Sequence, residues 1–380
     1  MKLTGLWLGL APVFGSTTSR HFGSTNSPRD HKPDRPIRID PKVAYQDVNV
    51  ERKAHVSLKA LSQPPNLASF SPADMPGYAY PASSGKGITV YIIDTGADPE
   101  HQEYIQAPGN KRWIHIPQEG RPRNTDDDLA SGHGTCVQSL VNGPRFGAAK
   151  DADVVIVKIP QPMKGPDILT ALDRVVDDIK ARNLEGKAVV TMSLVAGAID
   201  IPKSKKLGKP VLRGIWEPRV ERFKKMVKFL ISNLDVPVVV AAGNHRDEYE
   251  SISTFPGTFA TEMDVITVGA MEPNGSRWYR SQGDINKVTV LAAGRVECAV
   301  PGSRWETRDG AGTSFATPRV AGMIATWLSS PQYRDRLGSK GKVVANVKKM
   351  IRDLAYVKMP ASEPGGGYHV VYNGFGMFTY

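Results

Sequence analysis

Three side chains whose types can combine in covalent catalysis occur in separate short motifs of this chain. Asp94 follows the apolar run Tyr91–Ile93, His133 lies between two glycines, and Ser314 ends a Gly-Thr-Ser motif. An imidazole has the unperturbed pKa that suits a general base near neutral pH, and a hydroxyl beside such a base can attack a carbonyl carbon. The order Asp, His, Ser therefore indicates an orienter, a base and a nucleophile, although each residue alone also fits a turn, a core or a helix cap.

Asn244 and the surroundings of Ser314 add groups that can stabilise an oxyanion. Asn244 directly follows the run Val239–Gly243. It fits an ordinary residue at the end of a strand, or an amide that donates to an oxyanion and whose loss lowers turnover roughly 10²–10³-fold. Ser314 precedes Pro318 and a long apolar segment, which places it at a helix N-terminus with unpaired N–H groups and the positive end of the helix dipole. We expect Pro318 to lie in the first turn of that helix.

The elements that would position these residues follow from apolar runs of strand length. These runs are Ile88–Ile93, Val154–Ile159, Ala188–Met192, Val236–Ala241 and Val265–Val268. Apolar residues recur at helical spacing over 168–179 and over 220–231, and a buried helix is expected to begin near Val137–Val141. The alternation predicts the α/β class: a mainly parallel, twisted sheet flanked by helices on both faces, forming a single catalytic domain.

Taken together, these motifs resemble the subtilisin-like serine peptidases, the subtilases, and in particular secreted fungal members of the proteinase K branch. The resemblance extends from about Gly85 to Leu328. It implies peptide-bond hydrolysis through an acyl-enzyme, with Ser314 as nucleophile, His133 as base and Asp94 as orienter. It further implies an oxyanion hole from Asn244 and the Ser314 N–H, and a substrate-binding edge. That edge would consist of Ser193, Leu194 and Val195.

Several positions depart from the pattern of that family. The larger Gln138 and Ser139 stand where alanine and glycine are usual, and Val195-Ala196 replaces Gly-Gly, which would narrow the primary specificity pocket. Phe315 replaces a methionine, and Arg319 replaces a histidine. An active endopeptidase is the leading hypothesis, and a catalytically inactive subtilase-like binding protein is the alternative.

Composition excludes some classes of protein and leaves one open. With 380 residues, 40% hydrophobic and 23% charged, the chain is neither wholly disordered nor a multi-span membrane protein. Lysine and arginine number 49 against 38 acidic residues, a net charge of +11. A nucleic-acid-binding function would rest on that charge alone, because no base-reading motif accompanies it. We expect a monomer with protein or peptide substrates and no nucleic-acid or membrane partner.

The N-terminal part of the chain predicts export. Residues 1–15 are interpreted as a signal peptide, residues 16–53 as a disordered polar segment, residues 54–84 as an extended lead-in packing on the catalytic domain, and residues 85–380 as that domain. The protein is therefore expected to be secreted. Subtilases usually carry a folded inhibitory propeptide, which the polar segment is too short to form; a misplaced start, a lost propeptide and folding without one all remain open.

The two cysteines and the metal content complete the expectations. Cys136 and Cys298 lack zinc-site spacing. They are expected to be unpaired thiols, Cys136 in a buried helix and Cys298 in an irregular stretch over 294–310; pairing in an oxidising compartment is the alternative. No cofactor is required for the chemistry. The resemblance makes structural calcium possible, with no ligands assigned.

Overall fold

The computed structural model describes residues 38–39, 47–117, 132–159, 161, 163–194, 196–198, 217–375 and 378–379. The strands are β1 (Arg38–Ile39), β2 (Val48–Glu51), β3 (Tyr78–Pro81), β4 (Thr89–Asp94), β5 (Lys111–His115), β6 (Asp153–Lys158), β7 (Ala188–Met192), β8 (Ala196–Ala198), β9 (Val238–Ala241), β10 (Thr254–Phe255), β11 (Ile266–Met271), β12 (Val290–Ala293), β13 (Arg295–Ala299), β14 (Thr307–Ala311), β15 (Tyr356–Val357), β16 (His369–Val370) and β17 (Phe378–Thr379). The α-helices are α1 (Val56–Lys59), α2 (Gln102–Ile105), α3 (His133–Asn142), α4 (Gly165–Arg182), α5 (Glu217–Ser232), α6 (Thr313–Ser329), α7 (Arg334–Leu337) and α8 (Val343–Leu354). Single 3₁₀ turns cover Ala60–Ser62, Pro65–Leu67, Pro72–Asp74, Gly257–Thr261 and Pro331–Tyr333.

A nine-stranded sheet forms the centre of the molecule. Its strand order is β15-β16-β12-β11-β9-β7-β4-β6-β5, and every neighbouring pair is parallel except β15 with β16. Parallel neighbours need crossover connections, which the intervening helices supply. The predicted α/β fold with a mainly parallel sheet is thus confirmed.

Helices cover both faces of this sheet. Along β4, Val90 and Ile92 pack into the cluster that holds apolar residues of α3 and α6, whereas Tyr91 and Ile93 pack into the cluster of α4 and α5. Side chains of a strand alternate between faces, so a strand buried on both sides has a continuous apolar run. This double burial explains why the runs found in the sequence were strands with no polar alternation.

The segment over 54–84 is less extended than expected. It contains α1, three 3₁₀ turns and β3, and its residues Leu58, Leu61 and Leu67 are buried in the main core. Prolines start two of these turns, since a proline is tolerated where the N–H would be unpaired. Strand β2, within the segment expected to lack regular structure, pairs antiparallel with β3. The expected signal peptide and most of residues 16–46 lie outside the described residues.

The stretch over 294–310, expected to be irregular, is instead an antiparallel hairpin. Strands β13 and β14 pair from Arg295 with Ala311 to Ala299 with Thr307. In β13, Val296 and Cys298 are buried while Arg295 is exposed, so the residues have the alternation of a one-sided strand. Because β13 is only five residues long and contains charged residues, its two-residue alternation is too weak to recognise in the sequence.

The prediction of two unpaired thiols is wrong. Cys136 and Cys298 form a disulfide, with Cα atoms 5.0 Å apart and a sequence separation of 162 positions. Helix α3 packs on β13, and the inward side of β13 turns Cys298 towards Cys136 in one small buried cluster. The sequence contained no sign of this proximity because the hairpin that produces it was missed.

Candidate active site

The central strands bring three of the predicted site residues to one edge of the sheet. Strands β9, β7 and β4 are neighbours and run parallel. Asp94 is the last residue of β4, Ser193 directly follows β7, and Asn244 follows β9 after a two-residue turn. The carboxyl edge of an open parallel sheet is where such folds place their sites, because loops can converge there without covering the strands.

Asp94 and His133 are in direct contact. Asp94 Oδ1 lies 2.8 Å from His133 Nδ1 and also accepts a hydrogen bond from the Thr95 backbone N–H. Asp94 is fully buried, and His133 is 8% exposed. Since an ionised carboxylate can only accept, the Nδ1 atom must carry the proton, which leaves Nε2 as the basic nitrogen. The aspartate thus fixes both the orientation and the tautomer of the imidazole.

Thr95 supports this pair and was not identified from the sequence. Its hydroxyl accepts a 2.9 Å hydrogen bond from the Gly134 N–H, in the first turn of α3. The two segments approach so closely that a Cβ on Gly134 would lie 2.1 Å from the Gly96 carbonyl oxygen. Glycine is therefore required at 134. A hydroxyl directly after the strand-end carboxylate is the sequence signal that could have revealed Thr95.

Ser314 lies in the first turn of α6, as predicted, and is partly exposed. Its hydroxyl donates to the backbone carbonyl of Ser193 at 3.0 Å, and the Ser193 hydroxyl donates to the carbonyl of Ser314 at 2.7 Å. Helix α6 begins at Thr313, so Pro318 is its sixth residue and lies beyond the first turn. That detail of the prediction is wrong, because the helix starts earlier than the apolar period indicated.

Asn244 is held on the residue that precedes Ser314. Its Oδ1 accepts from the backbone N–H of Thr313 at 3.0 Å and from the Thr313 hydroxyl at 2.8 Å. A backbone N–H can only donate, so the oxygen of the amide must face Thr313 and Nδ2 must point elsewhere as a donor. The Thr313 hydroxyl in turn accepts from the Gly243 N–H at 3.2 Å. Thr313 is a second supporting residue that sequence reasoning missed.

His133 is linked to the segment of Ser314 through Phe315. The ring of Phe315, the residue after Ser314, packs 5.5 Å from the imidazole of His133, centroid to centroid. Asp94, His133, Ser314, Asn244 and Ser193 thus gather at one place. Leu194 follows Ser193 with its side chain buried in the apolar core, and Val195 lies outside the described residues.

The described residues show neither a metal-binding cluster nor a membrane-spanning helix. They contain no group of three or more histidine, cysteine, aspartate or glutamate side chains arranged to hold a metal ion. Within the same residues, no helix has both the length and the apolar character needed to cross a bilayer.

Comparison with known proteins agrees with this geometry. The family model of the subtilases, peptidase family S8, matches residues 85–364. Subtilisin-like protease 3 of Pseudogymnoascus destructans is 31% identical over 302 residues, covering 77% of this chain and 66% of the relative. Subtilisin-like protease 7 of Arthroderma otae is 30% identical over 300 residues, covering 75% and 64%. The alignments thus span just under two thirds of the length of these two relatives.

Among solved structures, a cold-adapted subtilisin-like serine proteinase superposes with a TM-score of 0.58 at 21% identity, covering 84% of this chain and 98% of that one. The self-cleaved protease domain of PatA gives a TM-score of 0.53 at 24% identity, with coverages of 72% and 90%. These likenesses establish the fold. Because the family model covers most of the chain, and the chain has the motifs and the sheet that the family requires, this protein belongs to the subtilase family of serine peptidases.

Proposed function

We propose that this chain is a secreted serine endopeptidase that hydrolyses peptide bonds through an acyl-enzyme on Ser314. The observation that carries the proposal is the hydrogen bond between Asp94 and His133, made beside the helix turn that holds Ser314. Asp94, His133 and Ser314 belong to three separate elements, and the bonds of His133 to Asp94 and of Ser314 to Ser193 support a common site at one edge of the sheet. That convergence favours catalysis over a structural role for any one of them.

The first half of the reaction follows from the tautomer of the imidazole. In the resting arrangement the Ser314 hydroxyl donates to the carbonyl of Ser193. When substrate binds, this proton passes to Nε2 of His133 while Oγ forms a bond to the scissile carbonyl carbon. The imidazolium is stabilised by Asp94 and then returns the proton to the leaving amine as the C–N bond breaks. An acyl ester on Ser314 and a free amine result.

The second half regenerates the enzyme with water. His133 takes a proton from water, the hydroxide oxygen bonds to the acyl carbon, and the proton returns to Ser314 as the ester bond breaks. Both halves pass through an oxyanion. The Asn244 Nδ2 group and the Ser314 N–H, in the first turn of α6, are the donors assigned to it.

Substrate recognition is assigned to the chain segment after β7. Ser193, Leu194 and Val195 would lie along the substrate backbone as an edge strand. Main-chain hydrogen bonds would then provide affinity for substrates that differ widely in their side chains. The substrates are proteins or peptides. The expected narrowing of the specificity pocket by Val195 and Ala196 stays a prediction, as does the identity of the preferred residue at the cleavage site.

Export and metal use are further parts of the proposal. The relatives are named subtilisin-like proteases of fungi, and the signal predicted over residues 1–15 directs the chain outside the cell. No metal takes part in the proposed bond-making steps, because a serine, an imidazole and two N–H donors account for every proton and charge. Structural calcium stays a prediction without assigned ligands.

The test is covalent labelling of purified full-length protein with a fluorophosphonate probe. We expect one adduct on Ser314 in the intact mass and peptide map, with hydrolysis of a peptide substrate. Ser314→Ala should lose both, since removing a triad member leaves only ~10³–10⁴-fold catalysis over water. Ser329→Ala, at the other end of α6, is the matched control and should retain both. A folded wild type that neither labels nor hydrolyses would favour the inactive binding protein.

A further inference from the structure

The hairpin of β13 and β14 contacts the elements that carry the base and the orienter, and it continues into the nucleophile helix. Strand β14 ends at Ala311, and α6 begins at Thr313, so one residue separates the hairpin from the helix of Ser314. The hairpin is thus covalently continuous with the nucleophile.

The same hairpin holds the N-terminal half of α3, which begins at His133. Arg308 Nη2 donates to the Gly132 carbonyl at 3.0 Å, the carbonyl that also accepts the first helical bond of α3, from the Cys136 N–H. Cys298, directly opposite Arg308 in the hairpin, forms the disulfide to Cys136.

Two further observations show how closely the hairpin and α3 fit. The Ala299 N–H donates to the Ser139 hydroxyl at 3.2 Å. A Cβ on Gly132, whose φ is +54°, would lie 2.5 Å from the ring of Pro301. The residue before the base is therefore packed directly against the hairpin, and only glycine fits there.

The tip of the hairpin contacts the loop that follows Asp94. Asp98 Oδ2 accepts from the Gly302 N–H at 2.8 Å, and the Gln102 N–H donates to the Arg304 carbonyl at 2.9 Å. His101 Nε2 lies 3.0 Å from the carbonyl oxygen of Glu306. The hairpin therefore touches the surroundings of both Asp94 and His133 and leads directly to Ser314.

We propose that the Cys136–Cys298 disulfide and Arg308 are positioning groups for His133. This inference rests on the proposed function. His133 is the first residue of α3, so the direction of its Nε2 atom follows any shift of that helix end. Arg308 holds the cap carbonyl just before His133, and the disulfide holds the helix one turn later; together they fix both position and axis. A misplacement of 1 Å at such a centre can lower the rate roughly 10²-fold.

The disulfide is both buried and central to the contact between hairpin and helix. Cys136 and Cys298 are both fully buried and share a cluster with Phe315, whose ring packs on His133. Loss of the disulfide would therefore loosen both the end of α3 that carries His133 and the packing of Phe315 on its imidazole. A disulfide that only stabilises the fold would change the unfolding temperature and leave the imidazole in place.

The experiment compares wild type with the double variant Cys136→Ala/Cys298→Ala, with Arg308→Ala and with Arg308→Lys. Val347→Ala, in the buried core of α8, is a destabilised control remote from the site. All variants are assayed well below their unfolding temperatures, confirmed by circular dichroism. We measure kcat and KM on a peptide substrate, and the low-field proton resonance of the His133 Nδ1–H with ¹⁵N-labelled histidine.

The double variant should lower kcat at least about tenfold, with KM changed less than about twofold, and should shift or broaden the Nδ1–H resonance. Arg308→Ala should do the same to a smaller extent, and Arg308→Lys should recover part of the loss because it restores a donor. Val347→Ala should lower the unfolding temperature without changing kcat or the resonance. If the double variant keeps both kcat and the resonance and only unfolds earlier, the positioning role is wrong. If wild type itself is inactive, the proposed function fails, and the resonance alone decides the positioning role.

Discussion

The hydroxyl of Ser193 donates to the backbone carbonyl of Ser314 and replaces a helical hydrogen bond that cannot form. In α6 the carbonyl of Ser314 would accept from the N–H four residues later, but that residue is Pro318, which has no N–H. The Ser193 hydroxyl lies 2.7 Å from this carbonyl. The segment assigned to substrate binding therefore completes the first turn of the helix that carries Ser314, the proposed nucleophile.

The first prediction is that Ser193→Ala loosens this turn. The partly buried carbonyl of Ser314 would lose its donor, and about 1–3 kcal/mol, the cost for a fully buried polar group without a partner, is the upper bound for this loss. We expect the free energy of unfolding to fall by up to that amount and kcat to fall several-fold, because the Ser314 side chain leaves the same turn. Urea unfolding and steady-state kinetics measure the two effects.

A second buried serine provides the control. The Ser62 hydroxyl donates to the carbonyl of Ala79 at 3.1 Å, in the lead-in and away from the site. Ser62→Ala removes this bond and the two that the hydroxyl accepts, from the Ala79 N–H at 2.9 Å and from Asn373 Nδ2 at 3.1 Å, so it should lower stability at least as much while leaving kcat unchanged. Equal kcat in the two variants would contradict the link between Ser193 and the nucleophile turn.

The second prediction concerns the oxyanion donors. Asn244→Ala should lower kcat by roughly 10²–10³ with little change in KM, because its Nδ2 group is assigned to a charge that develops only in the transition state. Thr313→Val should have a smaller effect. It removes the 2.8 Å hydroxyl bond to Oδ1 but keeps the backbone N–H that also orients the amide. A raised KM with unchanged kcat in Asn244→Ala would place the amide in ground-state binding instead.

The main architecture, and the places of the four candidate site residues on their elements, could be predicted because local sequence determines both. A run such as Val154–Ile159 has to be a strand buried on both faces, and parallel strands have to place their carboxyl ends together. Asp94 and Asn244 therefore fall on one edge whatever the details of the loops. Ser314 is at a helix start because Gly312 lies two residues before it and an apolar helical period follows.

The parts that were missed depend on contacts between distant segments. Thr95 and Thr313 support the site through hydrogen bonds to Gly134 and Asn244, which belong to segments distant in sequence. The disulfide between Cys136 and Cys298 depends on the packing of a hairpin whose strands of five residues carry several charges. Short strands of this kind have weak periodicity, so the hairpin, and with it the disulfide, could not be found.

The third prediction is a loss of stability at acidic pH through His55. Its Nδ1 accepts from the Ser57 N–H at 3.2 Å and lies 2.7 Å from the Ser57 hydroxyl, which itself accepts from Arg319. Burial, and then the charge of Arg319, lower the pKa of His55 from 6.5, although Glu297 and Asp309 oppose this. The unfolded chain therefore binds the proton more readily than the folded chain. The contribution of neutral His55 to the free energy of unfolding is fully present above pH 6.5 and decreases as the pH falls below that value.

His55→Asn tests this titration directly. Asparagine has an acceptor oxygen at a similar distance from the backbone, is a favoured helix N-cap, and does not titrate. We expect the unfolding temperature of wild type to decrease more than that of His55→Asn between about pH 7 and pH 5. Thermal unfolding followed by circular dichroism at several pH values measures the difference. If the unfolding temperatures of the two proteins decrease in parallel with pH, protonation of His55 is not the cause of the loss of stability.

Arg319, on which the last prediction rests, is a fully buried cation in α6. Its guanidinium donates to the carbonyl of Phe146 and, at 2.6 Å, to the Ser57 hydroxyl, and it has no direct ion pair within the described residues. Burial lowers the pKa of Arg319 to about 9. The charged form is therefore held at neutral pH at a cost, which the two hydrogen bonds offset.

Replacing Arg319 separates these opposing effects. Arg319→Met fills a similar volume and removes the buried charge, but leaves the carbonyl of Phe146 without its donor, so at pH 7 we expect a net change within about 2 kcal/mol. Arg319→Ala adds a cavity and should cost about 2–5 kcal/mol more. Because the charge of Arg319 also lowers the pKa of His55, the Met variant should show a weaker acid-dependent loss than wild type. Urea unfolding at pH 7 and pH 5 measures both effects. If the Met variant is less stable than wild type by more than about 2 kcal/mol, the hydrogen bonds of the guanidinium outweigh the cost of burying its charge.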